Sequence, residues 1–447
     1  MIVLSRFMTR SRNPERDGAL YNMIASVLNS FQSVILLMVL TRAVGTEESG
    51  IFTIAFSYSN MFLMIGKYGM RHYQVSDGHQ EYSFRQYRLS RWISSLAMLL
   101  TAAIYICTVA AMNDYSGRKQ GIMLWMILFR LPDAIEDIYY GWYQQQGRLD
   151  VASKAMSVRM LIEIASYLAL AIVTRNQYIA LVGGSIINGL GLCYVLHVTR
   201  SAVKDSVYVR SESEVLKCHT SEIETIEHTV ISDLKASGRL LMDCFPLFLG
   251  SFLTIYVTNA PKYAIDAVLS DVEQAYYGYI SMPVSMIGLL SGFLFIPMLY
   301  DFTRLWDEGK IRPFCRKIAS ISAVVGGITV ACAAAAYLLG IPVLSVLFHA
   351  DLQAYRTDLV ILLIGGGFSA LTAFFNAIVT VMRRQRHLLA GYIVTAILAV
   401  LISNCAVQTA GVRGASILFM ALMGTQCIWF ALVMIIAVYS RKQQLAK

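Results

Sequence analysis

Residues 200–239 read RSAVKDSVYVRSESEVLKCHTSEIETIEHTVISDLKASGR and form one long polar stretch in an otherwise apolar chain. Six apolar segments precede this stretch and six follow it. Each has about the 20 residues that an α-helix needs to cross the ~30 Å hydrocarbon core of a membrane. They lie near residues 21–43, 51–68, 92–112, 122–143, 155–174, 178–198, 240–260, 276–299, 318–339, 358–381, 388–407 and 414–439. The sequence therefore predicts an all-α polytopic membrane protein with twelve transmembrane helices.

The composition agrees with this interpretation. Of the 447 residues, 57% are hydrophobic and 15% are charged, and the mean hydropathy is +0.57. Soluble domains have about 45–50% apolar and ~25% charged residues, so the composition argues against a soluble enzyme. The eight cysteines lie mostly inside apolar segments and form no C-x-x-C pair. We interpret them as packing residues and predict neither a metal site nor a cofactor.

The basic residues predict the orientation of the chain, because Lys and Arg in short loops stay on the cytoplasmic side. With a cytoplasmic N-terminus, twenty-nine of the 37 Lys and Arg residues fall on the cytoplasmic side, seven fall outside, and Arg130 lies within a span. One span more or fewer would destroy this pattern, so both termini are predicted to be cytoplasmic. The first span is too long for a cleaved signal peptide. The net charge of +9 then reflects orientation and anionic lipid rather than nucleic acid.

The polar stretch divides the chain into three predicted parts. These are an N-terminal six-helix lobe (1–199), a cytoplasmic linker (200–239) with an interfacial helix from about residue 222 to 241, and a C-terminal six-helix lobe (240–447). The lobes show weak parallel similarity: at an offset of 239 residues, Arg130 and Asp133 align with Ser369 and Thr372. Parallel repeats in transporters are related by a pseudo-two-fold axis along the membrane normal, with the substrate between the halves. We expect the same arrangement here.

The fourth span carries the most charge within the predicted membrane region (residues 129–140, FRLPDAIEDIYY). Arg130, Asp133 and Asp137 are spaced i, i+3, i+7 and therefore share one helix face. A charge at the bilayer centre costs ~2.5–3.5 kcal/mol, so we expect this face to line a wet cavity and to bind substrate or gate it. The alternative is an Arg130–Asp133 ion pair that only fixes the packing. Pro132 removes a backbone hydrogen bond and is a candidate kink.

Other ionisable residues have two interpretations each. Glu136 and Glu163 are candidates for a proton or cation site, although Glu163 follows Arg159 by four residues and a local ion pair is the alternative. Arg42 and Lys262 hold equivalent positions at the outer ends of the first and seventh spans. They are predicted either to reach the lipid headgroups or to form a pair of cations at the outer mouth between the lobes.

The remaining motifs exclude several functions. Four aromatic residues at the end of the fourth span are predicted to lie at the membrane interface rather than to stack on a sugar: Tyr139, Tyr140, Trp142 and Tyr143. The chain contains no P-loop and no H-E-x-x-H motif, and its predicted outer loops are short. We therefore predict that the protein is not an enzyme.

Three groups of short motifs carry a family resemblance. They are residues 50–52 (GIF) with the region 66–69, residues 137–141 (DIYYG) running into 144–146 and 148, and residues 259–266 (NAPKYAID) followed by 277–278. Over its whole length the chain resembles the polysaccharide-transporter branch of the multidrug/oligosaccharidyl-lipid/polysaccharide (MOP) exporter superfamily, which includes Wzx-type O-antigen flippases. The resemblance implies two lobes that open alternately, in a bacterial cytoplasmic membrane. It also implies an undecaprenyl-diphosphate-linked oligosaccharide as cargo, with membrane lipids and polysaccharide polymerase machinery as further partners.

The resemblance also implies a cationic site for the diphosphate, because guanidinium and ammonium groups pair with phosphate oxygens. Arg130 is the first candidate, followed by Arg42 and Lys262, with Asp133 and Asp137 on the same helix face as Arg130. Multidrug exporters share the twelve-helix plan, so the alternative is a cation-coupled exporter of drugs or small molecules. A membrane glycan polymerase or ligase is a further alternative, which the short, arginine-poor outer loops disfavour.

Overall fold

A computed structural model describes residues 2–77, 81–211 and 226–446. These residues form helices joined by short connections, and no strand occurs among them. In chain order the α-helices are α1 (Ile2–Thr9), α2 (Pro14–Ala43), α3 (Thr46–Lys67), α4 (Met70–Ser76), α5 (Phe84–Met112), α6 (Gly117–Gln145), α7 (Leu149–Thr174), α8 (Gln177–Ser211), α9 (Ile226–Val268), α10 (Asp271–Phe295), α11 (Leu299–Asp307), α12 (Ile311–Ala335), α13 (Ile341–Phe348), α14 (Arg356–Val381) and α15 (Gln385–Ala446). Short 3₁₀ or π segments cover Ile296–Met298, Ala336–Gly340 and Gln353–Tyr355.

The number of long helices agrees with the twelve spans predicted from the sequence. Ten helical segments of the described chain are long and apolar enough to cross a membrane. The segment within α15 contains two helices, because Gly411 has φ 57° and ψ −138° and interrupts the helical backbone. α6 has 29 residues but differs from the ten in the charged residues at its centre. With α6 and both parts of α15, the described residues contain twelve long helices, and the predicted all-α fold class is confirmed.

The chain forms two compact units. The first unit contains Met1–Val44 and Tyr58–Ser251, and the second contains Gly45–Ser57 and Phe252–Lys447. Helices α3 and α9 therefore each contribute to both units. The predicted division into lobes 1–199 and 240–447 stays a prediction, and residues 45–57 group with the second unit instead.

The predicted linker is described only in part. Residues 212–225 lie outside the described residues, and so does the start of the interfacial helix predicted at residue 222. From Ile226 onward the chain is helical, and this helix continues without a break into the seventh predicted span as α9. The predicted interfacial helix is thus, over its described part, the first section of a longer helix.

In the first unit, α6 is surrounded by other helices. It packs against α4, α5, α7 and α8, while α2 packs along α7. Its side chains from Ile122 to Tyr143 are largely buried, including the four charged residues at its centre. The helix continues through Pro132. Neighbouring helices, rather than lipid, therefore contact the charged part of α6.

In the second unit, small residues permit close helix packing. Gly50 of α3 lies so near the start of α10 that a Cβ atom at this position would overlap the backbone carbonyl oxygen of Asp271. Farther along the same pair, a Cβ at Gly278 would lie 2.7 Å from the hydroxyl oxygen of Thr53. The α3–α10 contact therefore depends on glycine in both helices.

Replacing Gly50 with alanine is expected to lower the stability of the second unit by about 1–3 kcal/mol, since an overpacked site must shift its backbone. The thermal unfolding midpoint of the purified protein measures this effect. Gly250→Ala in α9 is the control, because a Cβ at Gly250 meets no atom within 4 Å. An unchanged midpoint for Gly50→Ala would contradict the close approach of α3 and α10.

Candidate functional site

Five charged side chains form a buried cluster inside the first unit, hereafter the charge cluster. α6 contributes Arg130, Asp133 and Glu136, and α7 contributes Arg159 and Glu163. Each of the five residues is at most 5% exposed. Spacings of three and four residues keep the members from each helix on one side of that helix. The structure therefore brings together four residues that the sequence predicts as functional, and it adds Arg159.

Arg159 is the centre of the charge cluster. Its guanidinium forms ion pairs with Asp133 and Glu136, and its Nη1 donates to Oε2 of Glu163 at 2.6 Å. The same Nη1 donates to Oδ1 of Asn188 on α8 at 2.9 Å. Arginine suits this position because its planar group offers five N–H donors in a fixed arrangement. The spacing along α7 predicts only the pair with Glu163, so sequence reasoning misses the contacts that Arg159 makes with α6.

Arg130 is held within the same cluster. Its Nη1 lies 2.7 Å from Oδ2 of Asp133 and 3.8 Å from Oε1 of Glu163. The guanidinium also donates to the side-chain oxygens of Gln32 at 3.0 Å and Asn60 at 3.3 Å. The structure thus shows the Arg130–Asp133 ion pair that the sequence offers as the alternative to a phosphate site. A phosphate group would have to displace carboxylates that already balance the charge of Arg130.

The charge cluster contains one more carboxylate than guanidinium groups. Two neutral side chains donate to the carboxylates: Gln32 to Oε1 of Glu163 at 2.6 Å, and Tyr140 to Oε2 of Glu136 at 3.0 Å. Lys67 is a further cation that acts on Asp133 through space. No group of three or more metal-binding side chains with the geometry for an ion is found in the described part of the chain. The excess carboxylate of the charge cluster is thus offset by these neutral donors and by the through-space charge of Lys67.

Asp137 does not join the charge cluster. Its Oδ2 accepts from Nη2 of Arg91 at 2.8 Å, and its Oδ1 lies 4.0 Å from Nη1 of Arg71. Arg91 also donates to the carbonyl oxygen of Gly66, close to the end of α3. Just beyond, Gly69 has φ 66°, a left-handed conformation that favours glycine. Asp137 therefore stabilises the junction between α3 and α4, through the buried side chain of Arg91.

The second unit contains a cavity of about 270 Å³ with mixed polar and apolar lining, hereafter the lysine cavity. Its lining residues are Thr258, Asn259, Lys262, Tyr277, Ser281, Val284, Ser285, Gly288, Leu362, Gly366, Ser369 and Phe419. Lys262 is half-buried, and no Asp or Glu lines the cavity. None of the described residues forms an ion pair with Lys262. Ser369, the position that aligns with Arg130 in the repeat, also lines this cavity.

Arg42 and Lys262 belong to different units. Arg42 is exposed in the last turn of α2 in the first unit, whereas Lys262 lines the lysine cavity of the second. Their predicted pairing at an outer mouth stays a prediction.

The aromatic residues at the end of α6 have a structural role. Tyr140 and Tyr143 are 1% and 0% exposed, and the hydroxyl group of Tyr143 forms a 2.9 Å hydrogen bond with that of Thr199 on α8. Trp142 stacks on Phe84 of α5 with ring centroids 4.9 Å apart. The prediction of a membrane-interface position is wrong for Tyr140 and Tyr143, because both rings pack in the core of the first unit.

Comparison with known proteins identifies the family. The family model described as "Polysaccharide biosynthesis protein" matches residues 16–299, well over half of the chain. No curated protein matches the sequence.

Solved structures share the fold over nearly the whole chain. The lipid II flippase MurJ in an inward closed conformation has 12% identity and a TM-score of 0.62, with 92% of this chain and 87% of that chain covered. An inward-facing multidrug resistance MATE family transporter of the MOP superfamily has 13% identity and a TM-score of 0.57, with 93% and 96% covered. A MOP superfamily transporter from Pyrococcus furiosus has 12% identity and a TM-score of 0.54, with 98% of each chain covered. The chain therefore belongs to the polysaccharide biosynthesis protein family, and it is a multi-pass membrane protein that shares its fold with these transporters.

Proposed function

We propose that the protein is a flippase that moves a polyprenyl-diphosphate-linked oligosaccharide from the inner to the outer leaflet of the bacterial cytoplasmic membrane by alternating access. Such a step supplies surface polysaccharide biosynthesis, O-antigen included, and would deliver the glycan to polymerase machinery outside. Two observations support this proposal: the family match, and a fold similar to that of a lipid II flippase. The charged diphosphate cannot enter hydrocarbon without a compensating polar site. The protein must therefore offer such a site within the membrane.

The lysine cavity is the observation that carries the proposal. It presents the ammonium group of Lys262, and no carboxylate lines it to repel an anion. The amide of Asn259 and the hydroxyl groups of Ser281 and Ser285 donate to backbone carbonyl groups of their own helices. Hydrogen bonds between an ammonium group and phosphate oxygens are stronger than those between neutral groups. A volume of about 270 Å³ is below the range of about 300–1,000 Å³ for sites that hold a drug-sized ligand. We infer that the cavity takes the diphosphate and that the glycan binds elsewhere.

The contacts of Arg130 and Lys262 support a different order of the candidate cations. Arg130 is buried against Asp133 and Glu163, whereas Lys262 lines a cavity that has no acidic residue in its lining. We therefore assign substrate binding to Lys262 first. Arg130 and Asp133 instead fix the position of α6 within the first unit.

Binding of a polyprenyl diphosphate to the purified protein tests this assignment. Lys262→Met is expected to weaken binding by about 10- to 100-fold, because a hydrogen bond to a charged group contributes about 1.5–3 kcal/mol. Lys262→Arg is expected to retain most of the affinity. Lys235→Met is the matched control, because Lys235 lies on the same helix but is exposed and does not line the cavity. Equal affinity in Lys262→Met and the wild type would remove the lysine cavity from the mechanism.

A second candidate function is a cation-coupled exporter of drugs or small molecules. The excess carboxylate of the charge cluster favours it, since Glu136 or Glu163 would carry the coupling proton. Deletion of the gene separates the two candidates. Loss of surface glycan with unchanged drug sensitivity supports the flippase, whereas drug sensitivity with an intact surface glycan supports the exporter.

A further inference from the structure

The N-terminal helix α1 is anchored on the first unit. Met8 is fully buried in a cluster that includes Val151 and Val195, and Leu4 packs against the same cluster. Beside this buried face, Val3 is 82% exposed, whereas the ring of Phe7 packs edge to face on Tyr21 at 5.3 Å and lies 5.5 Å from Nζ of Lys154. Leu4, Phe7 and Met8 thus fix the helix in place, and Val3 presents an apolar side chain outward.

The turn after α1 is held by hydrogen bonds to its backbone. Nη2 of Arg148 donates to the carbonyl oxygen of Thr9 at 3.0 Å. Nζ of Lys154 donates to the carbonyl oxygen of Arg10 at 3.2 Å and to the hydroxyl oxygen of Ser11 at 2.8 Å. These bonds fix the backbone of the turn that contains Arg10.

Two acidic side chains beside this turn have basic partners, and a third, Glu15, is exposed in the first turn of α2 and does not line the pocket described below. Asp17 pairs with Nζ of Lys154 at 2.7 Å, and Asp150 pairs with Nε of Arg148 at 3.0 Å. The hydroxyl group of Ser11 donates to Oδ2 of Asp150 at 2.7 Å. Both carboxylates are therefore occupied by groups other than the arginines of the turn.

A surface pocket of about 760 Å³ lies at the turn, hereafter the N-terminal pocket. Its lining residues are Thr9, Arg10, Ser11, Arg12, Pro14 and Arg148, with no acidic residue among them. The side chains of Arg10 and Arg12 are exposed, and neither forms an ion pair with a residue of the described chain. Two guanidinium groups without a carboxylate partner thus stand on a fixed backbone beside a pocket.

We propose that the N-terminal pocket binds the phosphate-containing headgroup of an anionic phospholipid of the inner leaflet. Arg10 and Arg12 contact the phosphate oxygens, which match the fork-like geometry of guanidinium. Val3 precedes Arg10 by seven residues, so it lies near the side of α1 that continues toward the pocket and it contacts the acyl chains. Because Pro14 begins α2, a helix long and apolar enough to cross a membrane, the proposal puts the pocket at the level of the lipid headgroups. The exposed apolar side chain of Val3 favours a lipid over a free phosphate ion.

Lipid binding to the full chain tests this site. The wild type and variants are purified in nanodiscs of phosphatidylcholine and titrated with fluorescent phosphatidylglycerol. The double variant R10Q/R12Q is expected to bind about thirty-fold more weakly, since each basic residue near an anionic surface contributes about 1 kcal/mol. R16Q is the control, because Arg16 is exposed nearby but does not line the pocket, and its affinity is expected to stay within twofold. All three substitutions are at exposed positions, and an unchanged thermal unfolding midpoint verifies that the variants fold.

Three results would overturn the proposal. Wild-type affinity in R10Q/R12Q would exclude the two arginines. If R16Q loses as much binding free energy as each arginine of R10Q/R12Q contributes, the lipid responds to general surface charge and not to a site. Displacement of the lipid by inorganic phosphate, but not by sodium chloride of the same ionic strength, would assign the pocket to a soluble phosphate.

Discussion

Replacing Arg159 with methionine is expected to destabilise the first unit by about 3–5 kcal/mol, the cost of breaking a buried ion-pair network by removing one partner. Arg159 is 1% exposed and forms ion pairs with Asp133, Glu136 and Glu163. Its removal leaves three buried carboxylates with Arg130 as the only guanidinium of the charge cluster. The thermal unfolding midpoint and the amount of folded protein in the membrane measure the loss.

Two further variants show that charge, rather than side-chain volume, causes this effect. Arg175→Met is the matched control on the same helix, because Arg175 is exposed at the end of α7. Arg159→Met/Glu136→Gln removes one buried negative charge and is expected to recover part of the loss. A double variant that is as unstable as the sum of its single variants would contradict the direct contact of Arg159 with Glu136.

Replacing Lys262 with methionine is expected to reduce export of surface polysaccharide by about 10- to 100-fold while leaving the protein folded. Lys262 lines a cavity without acidic residues, so methionine removes the charged donor without leaving a buried carboxylate unpaired. A lost hydrogen bond to a charged phosphate contributes about 1.5–3 kcal/mol, which sets the size of the effect. Export is measured as surface glycan in a strain that carries only the variant.

Two variants control this experiment. Lys262→Arg keeps the positive charge and is expected to retain export, and Lys235→Met removes an exposed lysine of the same helix and is expected to export normally. Normal export by Lys262→Met would show that the lysine cavity does not bind the transported diphosphate.

The membrane helices could be predicted from the sequence because their signal is local. Twenty apolar residues in succession specify a span, and the side of each basic loop verifies the count. The alternation of basic loops is needed to recognise α6. Its charged centre separates it from the ten apolar segments, but the basic loops before and after it alternate correctly only if α6 crosses the membrane. The sequence does not predict that the polar start of α9 continues into the seventh span as one helix, because hydropathy locates only the apolar part of a longer helix.

The partners of the charged side chains could be predicted only within one helix. Spacing finds Arg130 with Asp133 and Arg159 with Glu163, and both pairs are present. Contacts between helices depend on how distant segments pack, so the pair of Arg159 with Glu136 was missed. The same limit affects Tyr140, which is buried because it packs in a cluster with residues of α7 and α8.

Transport by the purified protein tests the central claim most directly. Wild-type protein and Lys262→Met are reconstituted into liposomes that carry a fluorescent polyprenyl-diphosphate oligosaccharide, and a membrane-impermeant quencher reports the fraction in each leaflet. We predict that the wild type equilibrates the lipid between leaflets and that Lys262→Met does so at least tenfold more slowly. Liposomes with wild-type protein that translocate the lipid no faster than protein-free liposomes would contradict the assignment of this chain as a flippase.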